Sequence, residues 1–338
     1  MQDRSVEIGI ADLGRYVPER FVSAAEISSA SGIPAEVLVE KFGLKGKHVS
    51  SPEEHVTDMC VAAAQPILSR VDPCDVDAVV YFGSHWKDHL IWNAAPKISH
   101  KLGIEGFALE MINVSAGAPI VVRAVADMMK SDPDLGSVLI VGASKESHLL
   151  DYENPKSRFM VNFGDGAVAA LLRREHPENI VLSSSFHTDG SFTDHVGVFG
   201  GGSVNPASHE TIDSGMHLLD VNDGPEMKRR LDPITLKQFI QVTREALEKS
   251  RLASDEIDLL LPIHFKRSLH DQILLELGLT MDQSIYLDHF GHMSAVDPLF
   301  ALSIARDEGR LKDGDIALLL AAGTGYTWAA TALRWGPA

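Results

Sequence analysis

Short apolar runs alternate with amphipathic stretches along most of the chain. Asp77 to Ser84 (DAVVYFGS) and Ser137 to Ser144 (SVLIVGAS) read as buried strands, being continuous, rich in β-branched residues and bounded by small or polar residues. Phe163 to Leu172 (FGDGAVAALL) reads as a glycine turn running into a third strand. Between the first two, Pro119 to Lys130 (PIVVRAVADMMK) carries its apolar residues at helical spacing. This alternation is the pattern of an α/β protein.

The second half repeats the same grammar. Asp255 to His264 (DEIDLLLPIH) matches the stretch from Asp75 to Gly83 (DVDAVVYFG), and each follows an amphipathic helical segment. Asp315 to Ala322 (DIALLLAA) corresponds to SVLIVGAS, and Gly323 to Leu333 (GTGYTWAATAL) supplies a closing glycine turn and strand. Two duplicated βαβ-type halves are therefore expected, over 1–175 and 226–338, packed as two similar layers. The stretch 176–225, rich in Gly, Ser, His and Asp, reads as the connection between them.

Composition narrows the class. With 45% hydrophobic and 23% charged residues, the 338-residue chain has the balance of a globular protein with a sizeable core. No apolar run approaches the roughly 20 residues that span a bilayer, and MQDRSVEIGIADLG lacks the basic start and long apolar stretch of a signal peptide, so a cytoplasmic location is expected. Cys60 and Cys74 are the two cysteines, too few for a disulfide framework. A formal net charge of −17 argues against nucleic acid or an anionic membrane as partner, and makes any docking of an acidic carrier depend on a local basic patch.

Five stretches, in order, carry a family resemblance: Gly9 to Glu19 (GIADLGRYVPE), Phe42 to Val49 (FGLKGKHV) followed by Glu54 to Met59 (EHVTDM), FGDGAVAALL, His187 to Phe192 (HTDGSF), and GTGYTW. Together they resemble the ketoacyl-ACP synthase III branch of the thiolase superfamily over nearly the whole chain. The resemblance implies a five-layered αβαβα thiolase-like fold, usually a homodimer. It also implies action on acyl groups carried by CoA or acyl carrier protein, with no permanently bound cofactor.

The family's catalytic cysteine lies between a buried strand and a helix start, and the matching stretch is Glu110 to Ile120 (EMINVSAGAPI), which puts Ser115 at that position. A helix N-terminus suits a nucleophile because its free N–H groups stabilise negative charge. The small residues Ala116, Gly117 and Ala118 leave room for close approach of substrate. Serine is also a common helix N-cap, and its hydroxyl is a poor nucleophile without a partnered base.

In the family, a histidine and an asparagine assist condensation. His264, in LPIHFKRS, resembles that histidine, with the extra Ile263 after Pro262; it reads equally as a satisfied histidine at a strand end. The asparagine position holds His292, in FGHMSAVDP, followed five residues on by Asp297. This set resembles a side branch from polyketide pathways whose members use Cys or Ser with His and Asp as acyltransferases or unusual starter-unit enzymes. It implies Ser115 as nucleophile, His292 as general base and Asp297 as its orienter. The N–H groups of Ser115 and Thr324 would form the oxyanion hole. Asp297 alone also reads as a cap for the helix starting near Leu299, and Asp288, His289 and His292 as a fragment of a metal cluster, without supporting ligand spacing.

Relatives hold the CoA adenine between a Trp and an Arg, whose positions here are Val37 and Lys41, so that clamp is missing and a carrier-protein donor gains weight. Lys266 and Arg267, with Arg251, supply positive charge for a donor phosphate or an acidic carrier, or form an ordinary solvated face. GSHWKDHLIW, with His85, Trp86, His89 and Trp92, falls where relatives line an acyl pocket or a dimer interface. Three functions are compatible with these residues. The first is acyl transfer through an acyl-serine to a small-molecule acceptor or a carrier thiol. The second is a starter-unit β-ketoacyl synthase. The third is a silent subunit of a heteromeric synthase.

Overall fold

A computed structural model describes residues 6–337. The N-terminal stretch read above for a signal peptide begins in residues 1–5, which lie outside the described residues. The main strands are β1 (Ile8–Tyr16), β2 (Ala78–Tyr81), β3 (Phe107–Glu110), β4 (Ser137–Ser144), β5 (Gly166–Arg174), β6 (Glu178–Thr188), β7 (Leu259–Pro262), β8 (Ile316–Gly323) and β9 (Thr327–Pro337). They form a nine-stranded sheet in the order β7-β8-β9-β6-β1-β5-β4-β2-β3. Within the sheet, the two halves meet where Gly9 of β1 pairs with Ile180 of β6.

Each half is built the same way. In the first, β2 runs parallel to β4 and β4 antiparallel to β5; in the second, β7 runs parallel to β8 and β8 antiparallel to β9. Every residue of β4 is buried, which explains its uninterrupted apolar run: helices cover both of its faces. The helices α1 (Val56–Leu68) and α2 (Ala94–Leu102) pack on the outer face of the first half. The outer face of the second is covered by α4 (Gly224–Lys249) and α5 (Arg267–Leu277). Between the halves lie α3 (Gly117–Ser131) and α6 (Asp297–Asp307), in one core cluster with strands of both. The layers therefore run αβαβα, the arrangement the resemblance implies.

Helix α3 is the helix expected at Pro119 to Lys130, lengthened by about half a turn at its start. Its Ala118, Val121, Val122, Val125, Ala126 and Met129 repeat at three- and four-residue intervals and are all buried. Gly117 at its first position has a steric reason. A Cβ there would come within 2.9 Å of Ala295 Cβ and 3.0 Å of the Phe82 carbonyl. Only a residue without that atom lets the start of α3 meet the turn leading into α6.

The segment 176–225, read from composition as a connection, opens with an eleven-residue strand instead: β6 pairs with β9 in the heart of the second half. Its serines hid it. Ser184 Oγ bonds Thr331 Oγ1 at 2.8 Å and Ser185 Oγ bonds Glu245 at 2.5 Å, so polar side chains are satisfied within a packed sheet. Only the remainder behaves as a connection, a two-stranded ribbon (Val196–Val198 with Leu219–Val221) and a glycine loop at Gly200 to Gly202. Among the described residues no helix is long and apolar enough to cross a membrane.

Candidate active site

The two central helices bring the site together. Ser115 precedes α3 and is 5% exposed; His292 lies in the turn before α6 and is 7% exposed; Asp297 opens α6 and is fully buried. Val114, just before the serine, has φ 42°, and Ser294, just after the histidine turn, has φ 55°. A β-branched residue in the left-handed region is strained, and such strain collects where a fold over-determines a functional geometry.

Ser115 Oγ lies 2.8 Å from His292 Nε2, and His292 Nδ1 lies 2.6 Å from Asp297 Oδ2. As a carboxylate, Asp297 must accept from Nδ1–H, which leaves the Nε2 lone pair for the serine proton. Asp297 also accepts the backbone N–H of His264 on Oδ2 (2.8 Å) and that of Met293 on Oδ1 (2.7 Å). It caps no N–H of α6, so the capping alternative does not describe what the carboxylate does.

The histidine turn is clamped by a loop the sequence did not flag. His292 N–H donates to the Asn162 carbonyl (2.8 Å), Gly164 N–H returns a bond to the His292 carbonyl (3.0 Å), and the Phe163 ring meets the imidazole edge-on at 4.8 Å. Gly291, at φ +70°, is needed here, because a Cβ would sit 2.1 Å from the Asn162 carbonyl oxygen. The only sequence signal was adjacent, in the FGDG motif starting at Phe163.

Lys47 holds that loop from inside. It is fully buried, and its amine donates to the carbonyls of Val161 (2.8 Å) and Phe163 (2.6 Å). Burial lowers its pKa to about 7 from 10.5, with nearby Asp165 pulling the other way. Across that window the unfolded chain carries a proton that the folded chain has shed, so this group makes stability rise with pH; below about 7 the cost of burying it is fully present. The stability of the protein relative to a Lys47→Met variant is expected to climb between about pH 7 and 9, by at most ~1.4 kcal/mol per pH unit. Urea denaturation of both proteins at fixed ionic strength checks it, and a difference flat in pH would mean the amine keeps its proton in the fold.

His264 is 3% exposed and both its ring nitrogens are engaged. Nε2–H donates to the Gly43 carbonyl (3.2 Å), so Nδ1 accepts from Asn162 Nδ2 (3.0 Å). Burial pushes its pKa down to about 4, which keeps the ring neutral.

A cavity of about 610 Å³ opens onto Ser115, His264 and His292 and is lined also by Trp86, Glu146, Phe163, Lys266 and Thr324. The GTG turn lies against the nucleophile: a Cβ on Gly323 would come within 3.2 Å of Ser115 N. Lys266 is exposed, with its ammonium over the Phe42 ring. Arg267 lies outside the cavity lining, paired with Asp271 at 2.8 Å and stacked over Tyr286, and Arg251, just past the end of α4, does not line the cavity either. Neither Val37 nor Lys41 lines the cavity. His85 and Trp86 do, whereas His89 and Trp92 pack on each other. Asp288 pairs with Lys45 and His289, and among the described residues no three His, Cys, Asp or Glu side chains gather as a metal site. Cys60 is buried and Cys74 exposed; both are free thiols.

Residues 109–190 match the family model for 3-oxoacyl-[acyl-carrier-protein (ACP)] synthase III, and residues 247–335 match that for its C terminal. One match falls in each half, and together they include Ser115, His264, His292 and Asp297. The chain belongs to the 3-oxoacyl-ACP synthase III family. It is 28% identical to the β-ketoacyl-[acyl-carrier-protein] synthase III of Syntrophomonas wolfei subsp. wolfei, over 98% of each chain. The solved β-ketoacyl-[acyl carrier protein] synthase III of Thermus thermophilus superposes with a TM-score of 0.83 at 28% identity, over 98% of this chain and all of that one. The priming β-ketosynthase of the R1128 polyketide pathway shares the fold, with a TM-score of 0.83 at 22% identity over 98% of this chain and 97% of that one.

The protein is thus an enzyme of the 3-oxoacyl-ACP synthase III family, with the thiolase-like layered fold. Within that family frame, the serine and the histidine–aspartate pair stand at the starts of the two pseudo-equivalent central helices.

Proposed function

We propose that this family member is an acyltransferase that forms an acyl-serine at Ser115 and passes the acyl group to an acceptor. The reading rests on one observation, the continuous hydrogen-bonded line from Ser115 Oγ through His292 to Asp297 at 2.8 and 2.6 Å. A serine needs such a base, and an imidazole needs such a carboxylate to fix its tautomer.

His292 Nε2 takes the Ser115 proton as Oγ attacks the thioester carbonyl. The tetrahedral oxyanion is held by the N–H groups of Ser115 and Thr324. Its collapse breaks the C–S bond, and His292 returns the proton to the leaving thiolate. In the second half-reaction, an acceptor hydroxyl, amine or thiol gives its proton to His292 and attacks the ester. The released Ser115 oxygen then recovers that proton. Relatives are named for acyl carrier protein, and this chain's exposed Lys266 at the cavity suits the phosphate of an acyl-carrier or acyl-CoA donor. No permanent cofactor enters these steps. A homodimer is the assembly proposed by family resemblance.

Carbon–carbon bond formation would ask His264 to assist decarboxylation, yet its ring is neutral and both nitrogens are engaged within the protein. A silent subunit would have no use for an aligned Ser–His–Asp set.

Incubation with a panel of acyl-CoA and acyl-carrier thioesters, read by intact-protein mass spectrometry, is expected to add one acyl mass that maps to Ser115. The adduct is absent from Ser115→Ala, and malonyl donors release no carbon dioxide. Carbon dioxide release coupled to product formation would overturn the transfer reading in favour of condensation.

A further inference from the structure

The base is held from two sides, and the triad describes one of them. Asp297 fixes the imidazole through Nδ1, at 2.6 Å. The backbone of residue 292 hangs instead on the loop 162–164: His292 N–H donates to the Asn162 carbonyl, and Gly164 N–H to the His292 carbonyl. The Phe163 ring meets the imidazole edge-on at 4.8 Å. Whatever fixes this loop therefore helps to fix where Nε2 points.

Lys47 is the side chain that reaches it. It comes from the short strand Gly46–His48, which pairs with Phe21–Ser23, and it is fully buried. Nζ donates to the carbonyls of Val161 at 2.8 Å and Phe163 at 2.6 Å, the two that flank Asn162. Among the described residues no other donor reaches either carbonyl. With both turned to the lysine, the carbonyl between them is the one that faces His292. The lysine stem packs on the same backbone: a Cβ on Gly164 would come within 3.3 Å of Lys47 Cβ and 2.3 Å of the Phe290 carbonyl oxygen. A buried amine is unfavourable unless its donors are used, and a buried carbonyl unless it accepts. The two penalties offset only when both partners are present, so lysine and loop order each other.

We infer that Lys47 is a positioning residue for the general base: by pinning the Val161 and Phe163 carbonyls it holds the Asn162–Gly164 clamp that aims His292 Nε2 at Ser115. Its catalytic consequence rests on the acyl-serine reading above; its hold on the imidazole rests on the hydrogen bonds alone. Lys47 does not line the cavity, so it acts through the loop and not on the substrate.

The test compares Lys47→Met with the wild-type chain, each with and without His292→Ala. Acylation of Ser115 by an acyl N-acetylcysteamine thioester is timed by mass spectrometry, under conditions where urea denaturation shows every protein folded. Lys47→Met is expected to acylate about 10²-fold more slowly at saturating thioester, the effect of moving a reacting group by roughly 1 Å. KM changes little, because the loss falls on the reacting geometry and not on binding. In the His292→Ala background the same substitution leaves the rate nearly unchanged, since no base remains to be aimed. An equal loss in both backgrounds would make Lys47 merely structural and overturn the inference, as would a wild-type rate in Lys47→Met. Histidine side-chain NMR, with the His292 signals assigned by their loss in His292→Ala, reads the imidazole without any reaction. The Nδ1–H tautomer is expected to be fixed in the wild type and averaged in Lys47→Met. A loosened imidazole in Lys47→Met, where even the wild type forms no acyl adduct, sinks the acyl-serine reading and leaves Lys47 in its role. An adduct formed at the wild-type rate by Lys47→Met, with unchanged imidazole signals, does the reverse. If Lys47→Met does not fold, Lys47→Gln, which keeps two N–H donors on a stem one bond shorter, is read in its place: a wild-type rate and signals there mean that the donors suffice, and an equal loss in both backgrounds overturns the inference.

Discussion

His292→Ala slows acylation of Ser115 by at least about 10³-fold, measured as the rate of acyl-adduct formation in quenched samples. Among the described residues the serine hydroxyl has no other base in contact: His292 Nε2 is the group 2.8 Å from its oxygen. His264 cannot deputise, because Gly43 and Asn162 occupy its ring nitrogens. The fold tolerates the change, since the backbone bonds that tie residue 292 to Asn162 and Gly164 do not involve the imidazole. A nucleophile and its base act as one unit, so their losses do not add. Turnover by His292→Ala, Ser115→Ala and the double variant should therefore reach a common floor. Acylation of His292→Ala near the wild-type rate would remove histidine from the role of base.

Asp297→Asn is expected to cost both catalysis and stability. The carboxylate accepts from three N–H groups, two on Oδ2 and one on Oδ1. An amide has one oxygen to offer. Placed toward His292 and His264, it sets its NH₂ against the Met293 N–H. Turned over, it opposes the His264 N–H and forces His292 into the tautomer whose Nε2 cannot accept the serine proton. Either way one fully buried donor is left facing another, a loss of roughly 1–3 kcal/mol by chemical denaturation. In both orientations the negative charge that steadies the imidazolium is gone, and acylation falls by about 10³ to 10⁴-fold. A variant that loses stability but acylates normally would make Asp297 a structural anchor of the His264 and Met293 backbones and nothing more.

Much of this architecture was written along the chain. A strand covered on both faces must be apolar throughout, so β4 and β8 were visible as SVLIVGAS and DIALLLAA, and their recurrence announced two similar halves. Helix α3 declared itself by the spacing of Val121, Val122, Val125 and Met129. Strand β6 did not, because Ser183 to Ser185 and the residues around them find partners across the sheet and on α4, which no local pattern records. The family resemblance singled out Ser115, His292 and Asp297, but nothing local showed what Asn162 would touch, or what Lys47, inside FGLKGKHV, would hold. Their contacts join distant segments: Asn162 to His264 over 102 residues and Lys47 to Val161 over 114.

The sequence by itself determined the α/β class, the duplication and the kind of chemistry, since periodicity and residue type are local properties. Only the tertiary structure decided which groups touch. The lone pair on His292 Nε2 points at Ser115 because Asp297, at the start of a helix from the other half, holds Nδ1–H. Both ring nitrogens of His264 are engaged because two loops of the first half bring Asn162 and the Gly43 carbonyl to them. Both outcomes depend on hydrogen-bond directions between segments far apart in sequence. Such directions are fixed by how two layers pack at Gly117, and no stretch of sequence encodes them alone.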